Sequence, residues 1–425
     1  MTARPQRLQL QPFAPGCVRG VLRRAGDPGS NSLLILSAAA LDRLTACPAG
    51  LIVVDGAPFS HAMIRLLGLG IPTVLATAAQ AARLPEGAAA LLDGATGLIT
   101  LPPPAAALPG PPAAPAPGVA VSTADGATVE LRASVADADG AARAVRHGAG
   151  GIGLVRSEFL LSASSQVPDA AAYRTALAAL CQAARPLPVT VRLLDISPDK
   201  RPAWLKPLPG MAGPLGLQGV RLYGREPVCR AWRAEAAALA ELARDFDLAV
   251  LIPFVTHPAE FRRWRREMEQ ALGSQHLPIG VMVETPAAAL ALPAWMELAD
   301  FVAVGCNDLM QCLFAADRDQ PELAPLLDPY APALYRFLQM LARDAGEAVG
   351  RLQLCGLLPQ YPKILPILLG LGFRIFSVEP VMIPFLARQV ADTHIDRAAC
   401  LADALCAARD AEQARRLLGL PASAA

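Results

Sequence analysis

Charged side chains and one cysteine recur at one kind of place in this 425-residue sequence, just behind a short apolar run. Arg156 and Glu158 follow GIGLV, Arg192 and Asp195 follow VTV, Glu284 follows GVMV, Asn307 and Asp308 follow FVAVGC, and Cys355 closes RLQL. Two arginines behind neighbouring runs form a fork able to grip a phosphate or carboxylate through paired hydrogen bonds, and Lys200 in DISPDKR adds a point charge. The ligand they suit is a small polyanion. Glu284 and Asp308 offer hard oxygens, few enough to leave a magnesium ion open to water and substrate, with Asn307 beside them for a ligand oxygen. Cys355 stands where it would exchange a proton with a bound carbon acid. Taken singly, each group also has an ordinary reading: surface salt bridges for the arginines, helix capping for the carboxylates, a buried structural thiol for the cysteine. Valine or leucine would fill most of these positions in a purely structural core.

The runs that carry these groups are TVELRASV, GIGLVRSEF, VTVRLLDI, AVLIPFV, PIGVMVETP, FVAVGCNDL, RLQLCGL and FRIFSVEP, each separated from the next by a helix-length interval. Between them lie helical patterns such as ADGAARAVRHGA, AAYRTALAALCQAA, PAEFRRWRREMEQAL and APALYRFLQMLARDAG. Eight βα units predict a (β/α)8, or TIM, barrel, whose reactive face is the one formed by the carboxyl ends of its strands. Upstream, the apolar stretches SLLILS, GLIVVDG, IPTVLA and AALLDGATGLITL alternate with helix-like AAALDRLTA and HAMIRLLGLG, a small α/β unit that ends in a turn between two strands at DGATGLITL. The two parts are joined by LPPPAAALPGPPAAPAPG, whose proline density forbids helix and favours extended polyproline II, a semi-stiff tether. The chain is therefore α/β throughout, with expected spans of 1–100 for the small domain, 101–118 for the linker and 119–425 for the barrel.

Composition narrows the classes. Lys and Arg number 38 against 37 Asp and Glu, so no global field favours nucleic acid or anionic membrane, and any anion site must be local. A 53% hydrophobic content fits a globular chain, yet no run reaches the roughly 18 apolar residues of a membrane span. Nine cysteines without a CxxC pair read as reduced thiols, and the N-terminal MTARPQRLQLQPFAPG lacks an apolar signal core, so a cytoplasmic address is expected. Of five histidines, His147, His257, His276 and His394 lie in helical or linking segments. His61 differs, because it follows Ser60 where a loop passes into a helix. A neutral imidazole there is a nucleophile, and the helix N-terminus would stabilise a phosphate placed on it; an exposed or capping histidine is the ordinary alternative.

These segments together resemble the phosphoenolpyruvate-utilising enzymes, and among them most closely enzyme I of the bacterial sugar phosphotransferase system. FSHAMIRLLGLGIPTV is similar to the family's phosphohistidine segment, GIGLVRSEFLL to its second-strand arginine motif and VRLLDISPDK to its third-strand phosphate-binding motif. GVMVETPAA and VGCNDLMQCLFAADRD resemble its metal-binding strands, and LCG its cysteine motif, in family order over nearly the whole chain. The resemblance implies a swivelling phosphohistidine domain and a barrel that binds phosphoenolpyruvate and Mg2+. His61 would attack phosphorus; Arg156, Arg192 and Arg318 would hold the phosphate, with Lys200 nearby; Glu284 and Asp308 would bind the metal. Asn307 would contact the substrate and Cys355 would protonate the enolate carbon to give pyruvate, chemistry that asks mainly for alignment and charge neutralisation. A homodimer is implied in the same way. The group would then pass to an acceptor the sequence does not name.

The pattern is also departed from. Enzyme I carries an inserted helical subdomain that docks the phosphocarrier protein HPr; here GCVRGVLRRAGDPGSNSLLILS passes from strand to strand through a short turn, so the usual docking mode is not expected. The ATP-binding domain of the related dikinase and synthase is not expected either. Ala57, Pro58 and Phe59 stand before Ser60-His61 where the family has a glycine pair and a threonine; Gln218 stands for an arginine, with Arg221 three residues on; Leu357 stands for a glutamate, and Asp319 for a glycine. Two other readings therefore accompany the transferase: a phosphoenolpyruvate-binding regulatory protein that has lost transfer, and a metal-dependent lyase acting on pyruvate-like carbon acids.

Overall fold

A computed structural model describes residues 6–24, 29–44 and 47–420. The chain packs as two units. Met1–Ala113 and Ala316–Leu327 form the first, and Ala114–Ala315 with Asp328–Ala425 the second. The sequence-based spans assign 316–327 to the barrel, whereas by packing this segment groups with the first unit.

The first unit is built on one sheet of β1 (Gln6–Gln9), β2 (Gln11–Ala14), β3 (Cys17–Arg23), β4 (Ser32–Ser37), β5 (Gly50–Val54), β6 (Thr73–Ala76), β7 (Ala89–Asp93) and β8 (Leu98–Leu101), in the order β1-β8-β7-β3-β4-β5-β6-β2. Strands β3 to β6 run parallel, and the flanking pairs are antiparallel. Side chains alternate across the sheet: Leu33, Ile35 and Ile52 join one core, while Leu34, Leu51 and Val53 join the other. Helix His61–Gly68 packs Met63 and Leu66 into the second core. Its start is fixed by Ser60, whose Oγ accepts from Met63 N at 3.4 Å. The apolar run AAALDRLTA forms a 3-10 turn over Ala38–Arg43 in place of an α-helix. Part of the short turn expected between β3 and β4, residues 25–28, lies outside the described residues.

The second unit holds β9 (Val121–Ser122), β10 (Thr128–Val135), β11 (Ile152–Arg156), β12 (Val189–Arg192), β13 (Leu248–Ile252), β14 (Ile279–Val283), β15 (Val302–Gly305), β16 (Gln353–Cys355) and β17 (Ile375–Val378). From β10 to β17 each strand is parallel to the next, and β17 closes on β10 with Glu130 opposite Ile375, so the eight form a closed barrel. Each predicted apolar run falls on one of the eight barrel strands, β13 beginning one residue ahead of AVLIPFV. Helices cover the outside, among them Ala170–Ala184, Val228–Leu242, Pro258–Leu272 and Pro332–Ala345. Strands shielded on both faces need no polar alternation, which is why β14, IGVMV, is buried at every position. Leu154, Leu251, Met282, Ala303 and Cys355, from five different strands, meet in one cluster and so fill the bore. Among the described residues no helix is long and apolar enough to cross a membrane.

Candidate functional site

Strands β11 and β12 pair with Arg156 opposite Arg192, so the two guanidinium groups leave adjacent strand ends in register. Each is held by its own carboxylates. Arg156 Nη2 donates to Glu379 Oε1 at 2.6 Å, from the end of β17. Arg192 donates to Glu158 Oε1 and pairs through Nη1 with Asp195 Oδ2 at 3.0 Å, while Lys200 Nζ bonds Asp195 Oδ2 and stands 3.8 Å from Glu158 Oε1. Two cations and two carboxylates therefore balance in a site where Arg192, Glu158 and Asp195 are all buried. Burial alone would raise the Asp195 carboxyl, but Arg192 and Lys200 outweigh it and hold it well below its ordinary value. Burial would likewise favour a neutral Lys200 amine, and Asp195 and Glu158 overcome that to raise its pKa. The Nε atoms of Arg156 and Arg192 are buried and without a hydrogen-bond partner among the described residues. An unsatisfied buried guanidinium N–H is costly unless a ligand completes it.

Glu284 follows β14 and is 1% exposed. Its Oε1 accepts from Phe254 N at 2.6 Å. Its Oε2 lies against Gly305, where an added Cβ would come within 2.7 Å, so the glycine at the end of β15 makes room for the carboxylate. Burial, then the like charge of Asp308, push the Glu284 carboxyl up from its ordinary value. Two mutually repelling carboxylates, one wholly enclosed, make a donor set that fits a hard divalent cation. Asp308 is supplied by helix Cys306–Leu313, which starts directly behind β15.

Asn307 occupies the same helix start, and its Oδ1 accepts from Leu357 N at 3.0 Å, tying the loop behind β16 to the end of β15. Gly356 between them has φ +113°, and a Cβ there would fall 2.7 Å from Asn307 Oδ1. Cys355 is 2% exposed, and burial pushes its thiol up to about 12 against the opposing pull of a hydrogen bond from Gln353.

In the first unit, Asp319 Oδ1 accepts from His61 N at 3.0 Å, and Asp319 Oδ2 lies 2.9 Å from His61 Nδ1. Arg318 Nη2 stands 2.8 Å from His61 Nε2. A guanidinium only donates, so Nε2 is the accepting nitrogen and Nδ1 carries the proton that Asp319 receives. Burial raises the Asp319 carboxyl, yet its bonds from His61 and the charge of Arg318 prevail and keep it below the ordinary value.

Of the positions that depart from the resembled pattern, Gln218 is buried and turns its Nε2 onto Pro214 O at 2.6 Å. Arg221 is engaged by Gly216 O and Thr256 Oγ1 and lies over the Phe254 ring at 4.8 Å. Leu357 is buried. The supports of the site were not legible in the sequence. Glu379 pairs Arg156 from more than 200 positions away. Glu235 Oε2 accepts from Leu194 N at 3.2 Å and Tyr223 Oη donates to Leu194 O at 3.0 Å, so both backbone groups of Leu194, next to Asp195, are clamped by side chains.

Residues 116–395 match the PEP-binding domain of PEP-utilising enzymes, and residues 36–97 match their mobile domain. A multiphosphoryl transfer protein of Xanthomonas campestris pv. campestris is 32% identical over 391 residues, which is 88% of this chain and 46% of that one. The phosphoenolpyruvate-protein phosphotransferase of Streptomyces coelicolor is 32% identical over 382 residues, 86% of this chain and 67% of its own length. That of Cupriavidus necator is 28% identical over 395 residues, covering 86% and 66%. The chain thus spans between about half and two thirds of the length of these relatives.

Proposed function

We propose, from the premise that this chain belongs to the PEP-utilising enzymes, that it takes the phosphoryl group of phosphoenolpyruvate onto His61, releases pyruvate, and passes the group to a further acceptor. The observation that carries the reading is the pair of in-register arginines, Arg156 and Arg192, each with a buried Nε that lacks a partner among the described residues. A phosphate dianion supplies the acceptors that such donors lack, and Lys200 adds a third positive charge beside them. Arg318 is assigned to the same phosphate by the family pattern.

The transfer breaks the bond from phosphorus to the enol oxygen as the His61 Nε2 lone pair forms the new one. Asp319 supports this by holding the Nδ1 proton, which leaves Nε2 as the nucleophile and stabilises the charge the ring gains. Glu284 and Asp308 are the residues that would hold Mg2+, which when bound supplies positive charge against the phosphate and enolate oxygens. Asn307 orients the substrate. Cys355 gives its proton to the enolate carbon, turning it into the methyl group of pyruvate. In this reading the acceptor is a protein that docks differently from HPr, and the active form is a homodimer.

Incubation with 32P-labelled phosphoenolpyruvate and Mg2+ tests the reading. Acid-labile label on the wild type and none on His61→Ala is the expected result; an unlabelled wild type rejects it. One observation favours a second reading, a binding and regulatory protein: Gln218 offers no guanidinium and is turned to its own loop. That reading expects calorimetric binding of phosphoenolpyruvate, weakened by Arg192→Lys, with no phosphohistidine.

A further inference from the structure

Inside the barrel a chain of polar side chains runs from β10 across to β16. Glu130 and Arg132 are two residues apart on β10 and so share a face, and Arg132 Nε donates to Glu130 Oε2 at 2.6 Å. Arg132 Nη1 donates in turn to Gln353 Oε1 at 3.2 Å, across to β16. Gln353 Nε2 donates to Gly153 O at 2.9 Å and to Cys355 Sγ at 3.1 Å. These partners fix which way the amide faces. Its oxygen must meet the guanidinium and its nitrogen must meet the Gly153 carbonyl, so the sulfur is met by an N–H and never by the amide oxygen.

Gln353 and Cys355 alternate on one face of the strand, and Cys355 packs among the bore residues, so both side chains point inward. Gln353 is only 3% exposed. The seat is cut for it: a Cβ on Gly153 would lie 2.9 Å from Gln353 Oε1 and 2.7 Å from Ser377 Oγ. A glutamine buried merely as filler needs its own polar atoms satisfied, and the Arg132 and Gly153 bonds already do that. The additional N–H on sulfur has a chemical consequence.

We propose that Gln353, braced by Arg132, is a positioning residue for Cys355: its amide N–H occupies a sulfur lone pair and stabilises the thiolate that remains when the thiol gives its proton to carbon. The inference rests on the role given to Cys355 in the proposed reaction. In that step the S–H bond breaks, its electron pair stays on sulfur, the enolate carbon takes the proton, and the enolate oxygen becomes the ketone oxygen. Sulfur goes from neutral to negative in a buried place, where one directed N–H matters most. Because that N–H takes up one lone pair from the Gln353 side, the S–H is left to point away from it.

The test uses the reverse proton transfer, which needs no phosphoryl group. Full-length protein with Mg2+ and pyruvate in D2O is followed by the loss of the methyl proton signal in NMR. Gln353→Met fills the same space with no donor, and Gln353→Glu keeps the acceptor for Arg132 while facing the sulfur with a second oxygen. Both leave the Gly153 carbonyl without the Gln353 donor, so they are expected to melt below the wild type while staying folded at the assay temperature, to leave KM for pyruvate within about 2-fold, and to lower kcat for exchange about 10- to 100-fold, the worth of one hydrogen bond to a charged group. An unchanged kcat in either folded variant overturns the role of Gln353, as does a loss that only tracks the unfolded fraction; both leave the proposed function standing. A wild type that exchanges no deuterium removes the assigned role of Cys355, and with it both this inference and that part of the proposed reaction.

Discussion

The backbone N–H of Phe254 is aimed at Glu284 Oε1, 2.6 Å away, by a left-handed turn with φ +53° at Phe254 itself. A non-glycine residue in that region is strained, and the bond to a buried carboxylate is what the strain accompanies. Glutamine at 284 keeps the acceptor for Phe254 and removes the charge. Glu284→Gln is therefore expected to hold or raise the melting temperature, since a buried carboxylate beside Asp308 is unfavourable, while abolishing Mg2+ binding in calorimetry. A Mg2+ isotherm like that of the wild type would show that Glu284 is no ligand.

Arg192 has two duties that one substitution separates. Deleting it leaves two buried carboxylates, Glu158 and Asp195, with Lys200 to balance just one of them, a loss on the order of 3–5 kcal/mol that would obscure any effect on binding. Arg192→Lys keeps the charge and gives up the planar fork. We expect a folded protein whose affinity for phosphoenolpyruvate falls about 10- to 100-fold at fixed Mg2+. Retained affinity in the lysine variant would place the ligand elsewhere.

At Gln218 a gain is expected. The side chain now donates only within its own loop, and Arg221, the nearest guanidinium in sequence, is engaged by Gly216, Thr256 and the Phe254 ring. Gln218→Arg should tighten phosphoenolpyruvate binding by about 30-fold or more, the low end of what a charged contact to a buried ligand contributes. Equal affinities for the two proteins would mean that position 218 does not face the ligand.

The barrel was legible because most strands shielded on both faces are written as largely apolar runs, and because groups meant for chemistry sit where runs stop, as Arg156, Glu284 and Cys355 do. Strands β1 and β2 were not legible: their buried residues, Leu8, Leu10 just between them and Ala14, are spread among glutamines, and Pro12 interrupts the pattern. Supporting residues escaped for a different reason. Gln353 in RLQLCG looks like the exposed position of an alternating strand, and what buries it is Gly153 and Arg132, some 200 positions earlier. Glu235 in RAEAAALAEL reads as part of a solvated helix face until the packing of helix Val228–Leu242 closes over it. Contacts of that sequence separation leave no periodic trace in the chain.

Glu235 gives the pH dependence of the fold. It is fully enclosed, with Ser157, Glu158, Tyr173 and Tyr223 around it and Leu194 N as its donor. Burial raises its carboxyl to about 8 from the ordinary 4.5, opposed only in part by its hydrogen bonds. A raised acid in the folded state means that the fold prefers the proton. Below the unfolded value both states hold it and nothing is lost; between there and about 8 the unfolded chain has released it while the folded chain has not, so stability falls with rising pH; above that range the loss is complete. Glutamine at 235 is neutral throughout and still accepts from Leu194. The stability of Glu235→Gln minus that of the wild type should therefore grow between pH 5 and pH 8 by on the order of a few kcal/mol, because each tenfold change in proton affinity is worth about 1.36 kcal/mol. Urea midpoints of the two proteins at a series of pH values measure it, and titrating groups that do not face Glu235 cancel in the difference. A difference that stays flat across that range would mean that Glu235 is already ionised in the fold, and Leu194 would then be held by a charged clamp.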